Sequence, residues 1–210
     1  MQVRGLVLNE SLFTVRPKAY TRFGVQLGAF CAIEASSDRP VYIGQGVQVG
    51  HHVTLRGPVT LGNGVEIRDY GSVGSGSTLG ENTKLLYRGA VYRDVVIGRN
   101  CIVGGSVDTG TVIGNDVTFL GRVLHNYRTP GTFDQLTDGV PSPSPRIHDR
   151  AVIGEGALIV GNIDIGPGAY IAAGMIVKGN VPAEHLYCER GLIPLSQFKG
   201  FISGRLERGR

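Results

Sequence analysis

Along the middle of the chain an aliphatic residue returns at every sixth position: Ile43, Val49, Leu55, Leu61, Ile67, Val73, Leu79, Leu85, Val91, Ile97 and Val103. The residue after it is usually glycine, as at Gly44, Gly50, Gly62, Gly74, Gly80, Gly98 and Gly104. Four positions on stands a small or β-branched side chain such as Val47, Val53, Val59, Val65, Ser77, Thr83 or Val95. A helical period would smear this phase around the axis, and a hairpin sheet has no need of glycine at constant phase over so long a run. Each hexad therefore predicts one short strand and one corner.

Three hexads close a triangular coil, so that residues 18 apart stack and each coil gives one strand to each of three parallel sheets. After Val103 the register takes a single four-residue step through Val107-Asp108-Thr109-Gly110 and resumes at Ile113 and Phe119. The next inward aliphatic is expected at position 125, where the chain has His125. The period is absent through 126–145 and returns at Ile147, Ile153, Ile159, Ile165, Ile171 and Val177, with Ala151, Ala157, Ile163, Ala169, Met175 and Val181 as companions. Leu27 and Ile33 open an incomplete first coil, followed by a bulging segment from Glu34 to Pro40. The pattern predicts an all-β parallel prism of about eight coils, roughly 35–40 Å long at about 4.8 Å per layer. Residues 1–182 form the repeat unit, with an N-terminal cap and a protruding loop at 126–145, and 183–210 form a tail that packs on or caps it.

Composition agrees. Gly supplies 33 positions, Trp none, and charged residues only 18%, which excludes a helical bundle, while the lack of a three-residue period excludes collagen. A net charge of +4 is a mild basic bias and not the footprint of a nucleic-acid binder. No apolar run is long enough to span a membrane, and the early charges Arg4, Glu10, Arg16 and Lys18 do not suit a secretory leader, so no membrane partner and a cytoplasmic location are expected. Cys31, Cys101 and Cys188 are odd in number and far apart, unlike a disulfide framework or a zinc knuckle.

Over about residues 25–182 the hexads resemble those of the hexapeptide-repeat family, whose members fold as left-handed parallel β-helices and many of which are acyltransferases acting on sugars, antibiotics and related acceptors. The left hand is what the resemblance implies, since general crossover rules favour the opposite one. A histidine just before a protruding loop is the general base in such enzymes, and His125 matches it in place. A neutral imidazole, with a free pKa near about 6.5, can take the proton from an acceptor hydroxyl or amine as it attacks a thioester carbonyl. The loop carries four prolines with Tyr127, Phe133 and Leu136, which suits a segment reaching to a neighbouring subunit.

The run Ile153-Gly154-Glu155-Gly156-Ala157 and the hexads Ile165 to Pro182 resemble the acyl-coenzyme A binding coils of the family. The resemblance places the backbone of Glu155 beside the thioester, Ala172, Ala173 and Gly174 along the pantetheine arm, and Lys178 on a phosphate. It implies acetyl-CoA or another acyl-CoA as donor with no metal required, a small polar acceptor such as a sugar or sugar nucleotide, and a homotrimer with active sites between subunits.

Stacking by 18 also aligns His51, Asp69 and Tyr87 beside His52, Tyr70 and Arg88. This column is either a solvated polar ladder or an acceptor strip made of His52, Asp69, Tyr70 and Arg88 with Asn126 from the loop. Two other functions use the same prism. A carbonic-anhydrase-like zinc hydratase needs three converging imidazoles, but no second histidine closely follows His125 and His52 is about four coils away. A non-catalytic scaffold or binding protein would have an uninterrupted prism. His148 is expected to face outwards, and His185 carries no role.

Overall fold

The computed structural model describes residues 5–124 and 144–197. Short strands of two to four residues fall into three sheets of eleven, nine and eight strands that wrap one axis as a left-handed parallel β-helix. Each coil runs from the eleven-stranded face one (first at Val25–Leu27) to the nine-stranded face two (Ala32–Glu34) and then to the eight-stranded face three (Val41–Ile43).

The hexad aliphatics are the core. Leu27, Val49, Ile67, Leu85, Val103, Phe119, Ile153 and Ile171 line the inside of face one; Ile33, Leu55, Val73, Val91, Val107, Val123, Ile159 and Val177 that of face two; and Ile43, Leu61, Leu79, Ile97, Ile113, Ile147, Ile165 and Val181 that of face three. All are essentially sealed from solvent, and burying each such side chain contributes about 1.5–3 kcal/mol before entropy is counted. Polar companions are satisfied between coils. Thr83 Oγ1 donates to the carbonyl of Gly98 at 2.8 Å and accepts the N–H of Cys101 at 3.1 Å, and Ser77 does the same with Tyr92 and Val95.

Full coils repeat at 18 residues, as in the pairing of Ser72 with Thr54 and with Ala90. The four-residue step at Val103 to Val107 shortens the next layer, so that Ala90 pairs with Ser106 and Val96 with Val112. The expectation of a single step is corrected: a second one follows directly. Val123 lies opposite Ile159 and is buried, so the inward slot after Phe119 is filled at 123 and not at 125. The reason is local, because Leu120-Gly121-Arg122-Val123 makes the same tight corner as Gly104-Gly105-Ser106-Val107 in the preceding coil, and Ser106 pairs with Arg122. His125, Asn126 and the loop through residue 143 lie outside the described residues.

Both ends of the prism are covered. Leu6–Leu8, Leu12–Phe13 and Lys18–Tyr20 run antiparallel along faces three, two and one in turn, a reversed coil that turns back at the 3-10 helix Thr21–Phe23. At the other end His185–Cys188 adds to face one, with Leu186 paired to Tyr170, and Gly191–Pro194 folds back on it as a hairpin.

Candidate active site

The edge between faces one and two carries most of the candidate site residues. Reading up it, the corners are Ala29-Phe30, His51-His52, Asp69-Tyr70, Tyr87-Arg88, the two shortened corners at Gly104-Gly105 and Leu120-Gly121, then Glu155-Gly156 and Ala173-Gly174. Backbone bonds tie them coil to coil: His52 N–H to Ala29 O at 2.9 Å, Tyr70 N–H to His51 O at 2.9 Å, Arg88 N–H to Asp69 O at 3.1 Å, and Gly174 N–H to Glu155 O at 2.9 Å.

The lower half of this edge is a ring ladder. Phe30 stacks on His52 with centroids 5.0 Å apart, His52 on Tyr70 at 4.8 Å, and Tyr70 meets Tyr87 edge-on at 5.7 Å. The Arg88 guanidinium lies 5.8 Å from the Tyr70 centroid and 5.2 Å from that of Tyr87. Phe30, Tyr70 and Tyr87 remain about half exposed, at 47%, 49% and 57%. Four rungs, Phe30, His52, Tyr70 and Arg88, hold positive φ of 55–60°. That conformation costs a bulky residue about 1 kcal/mol or more. At corners of the other two edges the same need is met mostly by Gly, Asn or Asp, as at Gly46, Gly64, Gly76, Asn82, Asp94 and Asn100. Ring contacts worth roughly 0.5–1.5 kcal/mol apiece offset the difference here.

His51 and Asp69 stand on the face-one side of the ladder. The Ala29 N–H donates to His51 Nδ1 at 3.1 Å, which leaves Nε2 to carry the ring proton, and the His51 backbone N–H donates to Asp69 Oδ1 at 2.7 Å. Both line a cleft of ≈ 330 Å³ whose polar lining includes Lys18, Gln26, Gln48, Glu66 and Arg68. Glu66 is held there by Arg68 at 2.8 Å and Lys84 at 3.3 Å. The sequence reading passed over Gln26, Gln48 and Glu66; their signal was the outward position just before each inward residue of face one.

The upper half of the same edge is bare. Glu155, Ala173 and Gly174 are exposed and Ala172 half-buried. Ala172 and Ala173 border a groove of ≈ 470 Å³ whose other wall is the C-terminal hairpin, with Tyr170, Met175, Cys188 and Arg190. Lys178 is exposed on the next edge, between faces two and three, with the strand Ile176–Val177 separating it from this groove. Arg190 is the cation the groove does contain, and its position depends on a hairpin that has no hexad phase to announce it.

The described histidines do not converge. His51 and His52 share the ladder edge, whereas His148 sits on the edge between faces three and one, its Nε2 3.1 Å from Asp164 Oδ1, half exposed. His185 Nδ1 donates to the carbonyl of Ala183 at 2.8 Å. Among the described residues no group of three or more His, Cys, Asp or Glu is placed to hold a metal ion, and no helix is long and apolar enough to cross a membrane. All three cysteines are free; Cys31 and Cys101 are buried, and burial pushes the Cys101 thiol above its ordinary pKa.

No family model matches the chain. A stretch of 78 residues, 36% of this chain and 27% of the relative, is 44% identical to a serine acetyltransferase from Buchnera aphidicola. A stretch of 75 residues, 34% of this chain and 17% of the relative, is 35% identical to a bifunctional protein GlmU from Allorhizobium ampelinum. The chain thus spans only about a quarter of the first of these relatives and less of the second. Among solved structures, a UDP-N-acetylglucosamine acyltransferase from Francisella novicida aligns over 87% of this chain and 66% of its own, with a TM-score of 0.59 at 17% identity, a likeness of fold.

Proposed function

We propose that this chain is a member of the hexapeptide-repeat left-handed β-helix superfamily and transfers an acyl group from acetyl-CoA or another acyl-CoA to a hydroxyl or amine of a small polar acceptor such as a sugar or sugar nucleotide. The observation that carries the reading is the 78-residue stretch at 44% identity to a serine acetyltransferase. The groove beside Ala172 and Ala173 supports it, because small side chains let an extended arm approach the corner backbone and Arg190 offers a cation at the far wall. Glu155 and Gly174, joined by a backbone bond on the same edge, continue that line towards the shortened corners. Lys178 stands on the neighbouring edge, across the strand Ile176–Val177 from this groove, so in this reading the donor's phosphates reach it only outside the groove.

In this reading His125 takes the proton from the acceptor as its oxygen or nitrogen forms a bond to the acyl carbon. A backbone N–H holds the tetrahedral oxyanion. The carbon–sulfur bond then breaks, and the imidazolium returns its proton to the departing thiolate. His52, Asp69, Tyr70 and Arg88 bind the acceptor together with Asn126. Three prisms packed face to face would give three equivalent clefts, and we expect a homotrimer. The free thiols of Cys31, Cys101 and Cys188 fit the reducing cytoplasm.

The test is release of free thiol from acetyl-CoA in the presence of a panel of amino and hydroxy sugars and their nucleotide derivatives, with the product identified by mass. Acceptor-dependent thiol release and a product heavier by one acetyl group support the reading. No transfer from acetyl-CoA or longer acyl-CoA donors to any member of the panel counts against it.

A further inference from the structure

The reversed N-terminal coil closes the prism but leaves its own outer edge open. Leu6–Leu8, Leu12–Phe13 and Lys18–Tyr20 are each the last strand of their sheet, so among the described residues no strand pairs with their far side. Inside this triangle Leu6, Leu8, Leu12, Tyr20 and Phe23 lie against the core and are only partly buried. Its face-two side is the barest, because Phe13 and Val15, at 61% and 63%, are the most exposed large apolar side chains among the described residues. The direction of the free backbone groups follows from the inner bonds. Thr14 donates its N–H to the Cys31 carbonyl at 3.0 Å and accepts the Phe30 N–H, so both its polar groups point towards the first coil. In an antiparallel ladder these directions alternate, and the N–H and C=O of Ser11, Phe13 and Val15 therefore point out of the end. Glu10 and Arg16 flank the strand. Both are exposed and, among the described residues, neither has an ion-pair partner.

We infer that this open edge is an interface with a second copy of the chain, the two prisms meeting end to end about a twofold axis through the middle of face two. Rotation about that axis sets Leu12–Phe13 antiparallel to its own copy and joins the two face-two sheets into one. Centred on Phe13, the pairing exchanges hydrogen bonds between the two Phe13 backbones, sets Leu12 against Thr14 on the core side and sets Ser11 against Val15 outside. It also brings Glu10 opposite Arg16 of its partner, and Arg16 opposite the partner's Glu10. Centring on Ser11, Leu12, Thr14 or Val15 opposes no such charges. The pattern is thus its own complement under the rotation, which is what a closed twofold contact requires. Phe13 and Val15 of the two copies form one diagonal apolar row across the new pair, which covers the side chains a single chain leaves bare. A lipid surface would leave the N–H and C=O groups of the edge unsatisfied, whereas another strand satisfies them. The contact lies at the other end of the prism from the groove beside Ala172 and Ala173, so it leaves that groove open and does not rest on the acyltransfer reading.

Light scattering behind a sizing column, on the full chain at concentrations up to about 100 µM, tests this without any measurement of activity. The wild type is expected to form a particle with twice as many chains as Phe13→Asp does. Arg16→Glu and Glu10→Arg each oppose like charges across the contact and are expected to weaken the pairing by about 10-fold or more. The double variant carrying both reversals regains the opposite pairs and should return the doubled particle, which separates loss of pairing from loss of folding. Equal masses for the wild type and Phe13→Asp over the whole range overturn the inference. So does a doubled particle that either single charge reversal leaves intact, or one that the double variant fails to restore.

Discussion

The imidazole of His52 lies on the ring of Tyr70 with centroids 4.8 Å apart and planes within 3° of parallel. Both residues hold a backbone conformation that glycine adopts at less cost, at φ of 55° and 60°. Tyr70→Gly would relieve that conformation while losing the contacts with His52, Tyr87 and Arg88. The two effects oppose, so chemical denaturation should show a net loss of no more than about 1–2 kcal/mol. A loss above about 4 kcal/mol would mean that the ladder is chiefly a stabilising element.

The second shortened corner makes a sharp statement about strand register. Val123 is 2% exposed and faces the core opposite Ile159, whereas its neighbour Arg122 faces out. Val123→Asp places a charge in a dry interior and should cost about 4 kcal/mol or more, or prevent folding, while Arg122→Asp should cost less than about 1 kcal/mol. Comparable urea midpoints for the two variants would contradict the register.

Thiol chemistry should divide the cysteines. Cys188 is partly exposed and should react promptly with an aromatic disulfide reagent at pH 8, whereas Cys31 and Cys101 should react only on unfolding. Burial raises the Cys101 pKa, so its protection should persist as the pH is taken to about 9. Three equally fast thiols in the native protein would contradict the packing.

Asp149 links pH to the corner ladder between faces three and one. Its Oδ1 accepts the Asn115 N–H at 2.8 Å, and that bond holds the carboxyl below the ordinary carboxylate range. A folded pKa below the unfolded value adds stability that is complete above the unfolded pKa and is lost as the pH falls through the folded one. Melting temperature plotted against pH should therefore fall less steeply below about pH 4 for Asp149→Asn than for the wild type. Identical acid limbs would show that the bond does not matter.

Most of the prism was legible because its cause is periodic: one inward aliphatic per strand and one corner per hexad leave a phase that survives from Ile43 to Val103 without any tertiary information. The second step escaped because Phe119 plus six lands on His125, and the loss of period there read as the start of a loop; the cue was the likeness of Leu120-Gly121-Arg122-Val123 to Gly104-Gly105-Ser106-Val107. The stacking of His52, Tyr70 and Arg88 followed from counting by 18. The reversed N-terminal coil could not be read, since Leu6–Leu8, Leu12–Phe13 and Lys18–Tyr20 pair antiparallel and carry no hexad phase. Arg190 escaped for the same reason, because a hairpin brings it to the groove, while the family resemblance put weight on Lys178.

The most direct test of the proposed chemistry is the turnover of His125→Asn and His125→Ala with acetyl-CoA and the best acceptor, measured beside donor affinity. Removal of the base should lower kcat by about 100-fold or more while CoA binds within about 2-fold of the wild type. Turnover close to that of the wild type in both variants would contradict the account.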